Sequence, residues 1–305
     1  MKQIKNKKLT KILIIGSSGF IGKSLVDYLC NKRSNISEIH TISRKKFTVK
    51  KNNKIYLKKI TKNIFNLDKI PEVDFIIYLI RSDKISNSLI YFNKFANLIS
   101  KFKKKPKILY VSSGVIYGSL KKGLKVNEKK KISIKNINNF SGYKKKYAKE
   151  KLFMEEKFKK LSKKGYKISI ARCFTFVGKS ILKYNYAIAD IINSIRGKKK
   201  IILKNSHNVF RSYMHSKDMC RWLIKILKNS NNKCPIYNVG SEHQISLSKL
   251  GMILAKKYNN EIDLKKNKVN RIDYYVPSIT LAKKELKLKI TINLLDAINS
   301  VIVLK

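Results

Sequence analysis

Ile14-Ile15-Gly16-Ser17-Ser18-Gly19-Phe20-Ile21-Gly22 is the stretch on which the reading of this chain turns. The apolar run from Ile12 to Ile15 reads as a short buried strand, and a helical stretch from about Ile21 to Cys30 follows it. Glycines at such a junction let the backbone approach a diphosphate, whose charge then rests on the N-terminus of the helix. The spacing is G-x-x-G-x-x-G, one residue wider at its first gap than the common dinucleotide fingerprint. The position between first strand and first helix, more than the glycines themselves, makes Gly16, Ser18, Gly19, Phe20, Ile21 and Gly22 candidate dinucleotide contacts.

Outward from this turn, strand-like and helical stretches alternate. Ile39 to Ile42 and Ile55 to Ile60 read as strands, and the continuous apolar run Phe75 to Ile80 has the pattern of a strand buried on both faces. A helix from about Ser86 to Phe102, a strand Ile108 to Val111, a long helix from about Tyr143 to Ser162 and a strand Ile168 to Ala171 follow. This order predicts an α/β fold with a doubly wound parallel sheet. Helices are expected at Tyr186 to Ile195, Lys217 to Leu227 and Ile245 to Tyr258, the last opened by Ser246 or Ser248. The expected division is a dinucleotide-binding domain over 1–178, with a returning segment near 209–240, and a smaller C-terminal α/β substrate domain over 179–305.

The chain has 305 residues with 43% hydrophobic content, enough for a sizeable core, and a formal charge of +52. Such an excess fits nucleic acid or an anionic membrane as partner. The lysines, however, are scattered over the whole length rather than gathered in one stripe, which favours a solvated surface. Cys30, Cys173, Cys220 and Cys234 form no C-x-x-C pair, and with His40, His207, His215 and His243 they make no metal-ligand spacing. No apolar run approaches the roughly 18 residues that cross a bilayer. Reduced thiols and the lack of a signal-peptide core predict a cytoplasmic protein with no membrane partner and no metal.

Two further segments carry chemistry. After the second strand, Ser43-Arg44-Lys45-Lys46 has no carboxylate to hold the ribose 2′-hydroxyl of NAD. Arg44 suits the 2′-phosphate of NADP instead, so NADP is preferred over NAD. Tyr147 and Lys151 lie four apart on a predicted helix, hence on one face. A neighbouring ammonium favours phenolate and brings a tyrosine pKa down from about 10. Tyr110-Val111-Ser112-Ser113-Gly114-Val115-Ile116-Tyr117-Gly118 ends a buried strand at the sheet edge where such folds bind ligands, and Ser113 can orient a reacting hydroxyl or carbonyl there.

Glycine turn, Ser113 segment and Tyr147/Lys151 pair together resemble the extended short-chain dehydrogenases/reductases of the nucleotide-sugar epimerase/dehydratase group, from about Leu9 to the C-terminus. Ala171 to Gly178, Arg211 to Asp218 and Tyr237 to Ser241 fit the same family. The resemblance implies a Rossmann domain and an NAD(P)-dependent enzyme acting on a nucleotide sugar. It gives Tyr147 the acid/base role, exchanging a proton with a sugar hydroxyl while hydride moves to or from nicotinamide, and Lys151 the nicotinamide ribose. Ser113 matches the catalytic Ser/Thr, Leu79 and Ile80 join the cofactor contacts, and Thr175, Arg211 and Arg271 are assigned to the substrate. The Asp-Glu pair that family dehydratases carry after that Ser/Thr is Gly114-Val115 here, which argues against a 4,6-dehydratase. The expectation is an NADP-preferring reductase of a 4-keto-6-deoxy nucleotide sugar in polysaccharide precursor synthesis, with a 4-epimerase holding NAD as rival. A homodimer is in keeping with the family, and a non-catalytic RNA-binding relative is the alternative of another class.

Overall fold

The computed structural model of the chain describes residues 10–31, 36–48, 55–82, 84–204, 206–265 and 272–303. Its first half runs β1 (Thr10–Ile15), α1 (Phe20–Asn31), β2 (Ile36–Ile42), β3 (Tyr56–Ile60), β4 (Phe75–Tyr78), α2 (Ile85–Ser100) and β5 (Lys107–Ser113). A short α3 (Ile134–Asn138) precedes the long α4 (Gly142–Lys163) and β6 (Lys167–Cys173). Then come β7 (Thr175–Val177), α5 (Ala187–Arg196), β8 (Ile201–Lys204), β9 (Val209–Arg211), β10 (Tyr213–His215), α6 (Ser216–Lys228) and β11 (Ile236–Val239). The chain ends with β12 (Ile245–Ser246), α7 (Leu247–Tyr258), β13 (Ile262–Lys265), β14 (Asp273–Tyr275), α8 (Thr280–Leu286) and α9 (Leu294–Ile302). Of the two serines expected to open α7, Ser246 is the cap: its hydroxyl accepts from Lys249 N at 3.2 Å.

The main sheet has seven strands in the order β11-β6-β5-β4-β1-β2-β3, and the pairs β3/β2, β2/β1, β1/β4 and β4/β5 are parallel. The chain winds outward from β1 to β3, then returns to β4 on the other side of β1. This is the doubly wound α/β fold expected of the sequence, and its switch point falls between the carboxyl ends of β1 and β4. Ile12, Leu13, Ile14 and Ile15 are fully buried, as a parallel strand covered on both faces requires.

By compactness the chain divides into two units. One comprises Met1–Val111, Leu152–Ile170 and Ile224–Pro235, and the other Ser112–Lys151, Ala171–Leu223 and Ile236–Lys305. The first is centred on Phe158 of α4, whose ring stacks on Tyr110 at 4.4 Å and meets Tyr78 and Phe92 edge-on at 5.2 and 5.1 Å. Aromatic pairs in such geometry contribute about 0.5–1.5 kcal/mol beyond the area they bury. Ser169 and Ser230 share a buried hydrogen bond of 2.7 Å, and Ser230 donates to the Ile108 carbonyl at 3.1 Å.

The second unit holds more polar groups inside. Arg172 donates to Tyr117 Oη at 2.9 Å, and Tyr117 donates to Asn238 Oδ1 at 2.9 Å. The Asn238 amide in turn donates to the carbonyls of Val126 and Ser278. Each member is satisfied, so the burial is tolerated and the geometry is fixed. Trp222, fully buried, donates to the Lys289 carbonyl. All four cysteines are buried and none is in a disulfide. Burial pushes the Cys234 thiol up to about 12 and raises that of Cys173 further, against a lowering pull from Lys151. Among the described residues no helix is long and apolar enough to cross a membrane, and no cluster of His, Cys, Asp or Glu could hold a metal.

Candidate active site

The glycine turn sits at the switch point. Gly16 has φ +89°, a left-handed conformation that L side chains rarely adopt, and its amide donates to the Ile42 carbonyl at 2.8 Å. A Cβ there would meet the Leu79 carbonyl carbon at 3.0 Å, so β4's exit packs directly on the turn. At Gly22, inside α1, a Cβ would lie 2.6 Å from Ser17 Cα. Gly19 is different: exposed, with only Gly16 O at 3.7 Å from its Cβ position. The turn is thus pinned on its inner side and open on its outer side, with Ser18, Phe20 and Ile21 partly exposed beside it. That combination fits a dinucleotide diphosphate.

Leu79 and Ile80 leave the strand run that the sequence assigned to them, because β4 stops at Tyr78. Both are partly exposed, and the Leu79 amide still donates to Ile15 O at 2.9 Å. Arg44 is exposed at the exit of β2, where Ser43 Oγ donates to the Lys45 carbonyl at 2.7 Å and fixes the turn carrying it.

Of the expected catalytic residues, Tyr147 and Lys151 both stand on α4, and Lys151 Nζ lies 5.7 Å from the centre of the Tyr147 ring. The ammonium is buried together with Glu150, whose Oε2 is 3.6 Å away. Glu150 brings a counter-charge that the Tyr/Lys spacing alone does not disclose. Ser113 ends β5, where its Oγ accepts from Val115 N at 3.3 Å. The same oxygen is 3.2 Å from Tyr275 Oη, and Tyr275 donates to the Cys173 carbonyl at 3.2 Å. Burial drives the Tyr275 phenol far above the ordinary tyrosine range, with the Ser113 bond pulling down and the Tyr147 phenol adding to the rise. Tyr275 therefore touches Ser113 and is within electrostatic reach of Tyr147.

The residues expected to meet a substrate are arranged less openly. Arg211 donates to Asp273 Oδ2 at 2.6 Å, and also to the carbonyls of Phe210 and Asp273. Lys144 reaches the same carboxylate at 3.3 Å. Burial opposes ionisation of Asp273, but the charges and hydrogen bonds of Arg211 and Lys144 outweigh it and hold the carboxyl below its usual range. Thr175 donates its hydroxyl proton to the Ser212 carbonyl. Arg271 lies outside the described residues. A cleft of about 260 Å³ opens here, with Ser119, Ser141, Lys144, Asp273 and Tyr275 among its lining.

Tyr275, Asp273, Lys144 and Phe174 were not singled out in the sequence. Phe174 explains the residue after Ser113: a Cβ at Gly114 would lie 2.6 Å from Phe174 Cε2 and closer still to Cζ. The ring also packs against Tyr275 at 4.6 Å. No local pattern announces these contacts, since Phe174 and Tyr275 are far from Ser113 in sequence.

Comparison with known proteins follows the same lines. The family model described as the NAD dependent epimerase/dehydratase family matches residues 12–240. The bifunctional polymyxin resistance protein ArnA of Wigglesworthia glossinidia brevipalpis is 28% identical over 98% of this chain, which spans about half (52%) of that relative's length. Among solved structures, UDP-N-acetylglucosamine 4-epimerase from Bacillus cereus superposes with a TM-score of 0.73 at 19% identity, over 96% of each chain. RMD from Pseudomonas aeruginosa, complexed with NADPH, superposes with a TM-score of 0.73 at 18% identity, over 96% of this chain and 97% of that one.

Proposed function

The chain belongs to the NAD dependent epimerase/dehydratase family, and from that premise we propose that it reduces the 4-keto group of a nucleotide-linked 6-deoxy sugar, preferring NADPH. The observation that carries the reading is the Phe174 ring lying over Gly114. Dehydration needs an acid and a base beside the catalytic Ser/Thr, and here an aromatic ring fills the space in which the first of those side chains would begin. Ser113, Tyr147 and Lys151 then remain to move a single proton.

In this reading Gly16, Ser18, Gly19, Phe20, Ile21 and Gly22 hold the dinucleotide's diphosphate, Leu79 and Ile80 flank it, and Arg44 takes the 2′-phosphate. A nicotinamide supplies the two-electron redox equivalent. The chain's own residues do the rest. Ser113 hydrogen-bonds the sugar oxygen at C4, Tyr147 gives that oxygen its proton, and Lys151 stabilises the phenolate left behind. Arg211 and Lys144, gathered around Asp273, present donors to an anionic part of the substrate, with Thr175 beside them. Solved structures of this fold hold either NAD or NADPH, so the preference for NADPH rests on Arg44 in place of a carboxylate after β2.

A panel of nucleotide sugars and their 4-keto derivatives, assayed with NADPH and with NADH, tests the proposal. Stoichiometric NADPH oxidation by a 4-keto substrate is expected. Nicotinamide that co-purifies with the chain, and interconversion of 4-epimers with no net NADPH consumption, would establish the 4-epimerase instead.

A further inference from the structure

We propose that Tyr275 is a positioning residue that sets the hydrogen-bond polarity of Ser113, turning that serine between acceptor and donor as the bound sugar passes between alcohol and carbonyl. The proposal rests on the redox reading above and concerns the same site. It follows from counting protons. A serine hydroxyl has one proton and two lone pairs, and a phenol likewise has a single proton to give. The Cys173 carbonyl can only accept, so the 3.2 Å bond from Tyr275 commits the phenol's proton. In that state the 3.2 Å contact between Ser113 and Tyr275 is a bond donated by Ser113. Val115 N, at 3.3 Å, occupies one of the serine's lone pairs.

What Ser113 then offers a ligand is one lone pair and no proton. That suits a sugar hydroxyl, which donates, and it mismatches a carbonyl, which can only accept. Turning the phenol proton from Cys173 to Ser113 reverses the chain: the serine accepts from Tyr275 and points its own proton at the ligand, as a carbonyl oxygen needs. No covalent bond is made or broken, because each change is the rotation of an O–H about its C–O bond. The surroundings favour this motion over movement of the ring, which packs on Phe174 at 4.6 Å and has the Arg211 guanidinium 5.9 Å from its centre. Burial raises the phenol's pKa and so favours its protonated form, which keeps on it the proton that must turn. An enzyme that meets both redox states of one carbon needs a partner able to match both.

Six proteins test this: wild type, Tyr275→Phe, Ser113→Ala, Ser113→Thr and each serine variant combined with Tyr275→Phe, all assayed in both directions on the panel above. Loss of one hydrogen bond's worth of matching predicts about a tenfold fall in kcat for Tyr275→Phe. KM for the nucleotide sugar and Kd for the dinucleotide, read by fluorescence titration, should stay within about twofold. In the Ser113→Ala background the Tyr275→Phe change should cost nothing more, whereas in a Ser113→Thr background, which keeps a hydroxyl, the fall should persist. Thermal unfolding of the same proteins should show coupling between the two sites. Equal losses with and without Ser113, or a raised KM at unchanged kcat, overturn the assignment and leave the redox reading intact. Failure of the wild type to turn over any member of the panel overturns both.

Discussion

The turn from Gly16 to Gly22 is shaped by the backbone of one continuous run, whereas the oxygen of Ser113 is placed by an amide two residues on and a phenol 162 positions away. In the turn, side chains are mostly obstacles: the positions that matter are those where a Cβ would strike Leu79 or Ser17. Around Ser113 side chains carry more of the arrangement, since the Tyr275 hydroxyl meets its oxygen and the Phe174 ring covers Gly114. A region built on backbone should fail by losing its ligand, and one built on side chains by losing its rate.

The largest expected effect lies on the side-chain side. Tyr147→Phe should lower kcat by about 10²–10⁴, the usual contribution of a positioned acid or base, while dinucleotide affinity is unchanged. Steady-state kinetics beside a fluorescence titration decides it, and full activity in the variant removes Tyr147 from the role. Next, Gly22→Ala should weaken dinucleotide binding at least tenfold and cost about 1–3 kcal/mol in denaturant unfolding, because backbone must move to admit the methyl. Its kcat at saturating dinucleotide should be kept; a fall in kcat with normal binding would break the contrast between the two regions.

Gly114→Ala tests a third situation, in which a backbone position is closed by a side chain. It should destabilise by about 1–3 kcal/mol, and Phe174→Leu in the same chain should recover part of that loss, as measured by thermal unfolding. Arg44→Ala should reduce the preference for NADPH over NADH by several-fold without altering Tyr147-dependent chemistry, a comparison of two Kd values.

The smallest effect concerns Asp273. Its folded pKa is depressed, so the stability it contributes is present above the unfolded value of about 3.9 and disappears as pH falls through the folded one. Wild type should therefore exceed Asp273→Asn slightly near neutrality, and the two should converge below about pH 4 in acid unfolding curves. A gap that persists at the lowest pH would mean that packing, not charge, holds Arg211.

Legibility from sequence divides along the same line. The alternation of strands and helices, the turn and the Tyr147/Lys151 pair are local patterns, with periods set by backbone geometry, and the fold follows them closely. Ser246 as the cap of α7 belongs with these. β4 is shorter than its sequence pattern, because apolar character continues through Leu79 and Ile80 past the point where the strand ends. The contacts made by Tyr275, Phe174 and Asp273 are of another kind. Each joins residues brought close only by the folded chain, and nothing in a run such as Asp273-Tyr274-Tyr275 says which distant oxygen or guanidinium it will meet. The resemblance assigns Arg211 to the substrate, and nothing in the sequence shows that a carboxylate already engages it.

The buried thiols offer a clock for each unit. Cys30 and Cys234 belong to the unit that carries the glycine turn, and Cys173 and Cys220 to the one that carries Ser113 and Tyr147. A thiol-modifying reagent can reach any of them only when the protein opens locally, so the labelling rate of each cysteine, resolved by mass spectrometry of peptides, measures how often its surroundings come apart. Two such reporters lie in each unit, Cys173 next to the proposed chemistry through its carbonyl, so the opening frequencies of the two units can be read separately in the unmodified chain.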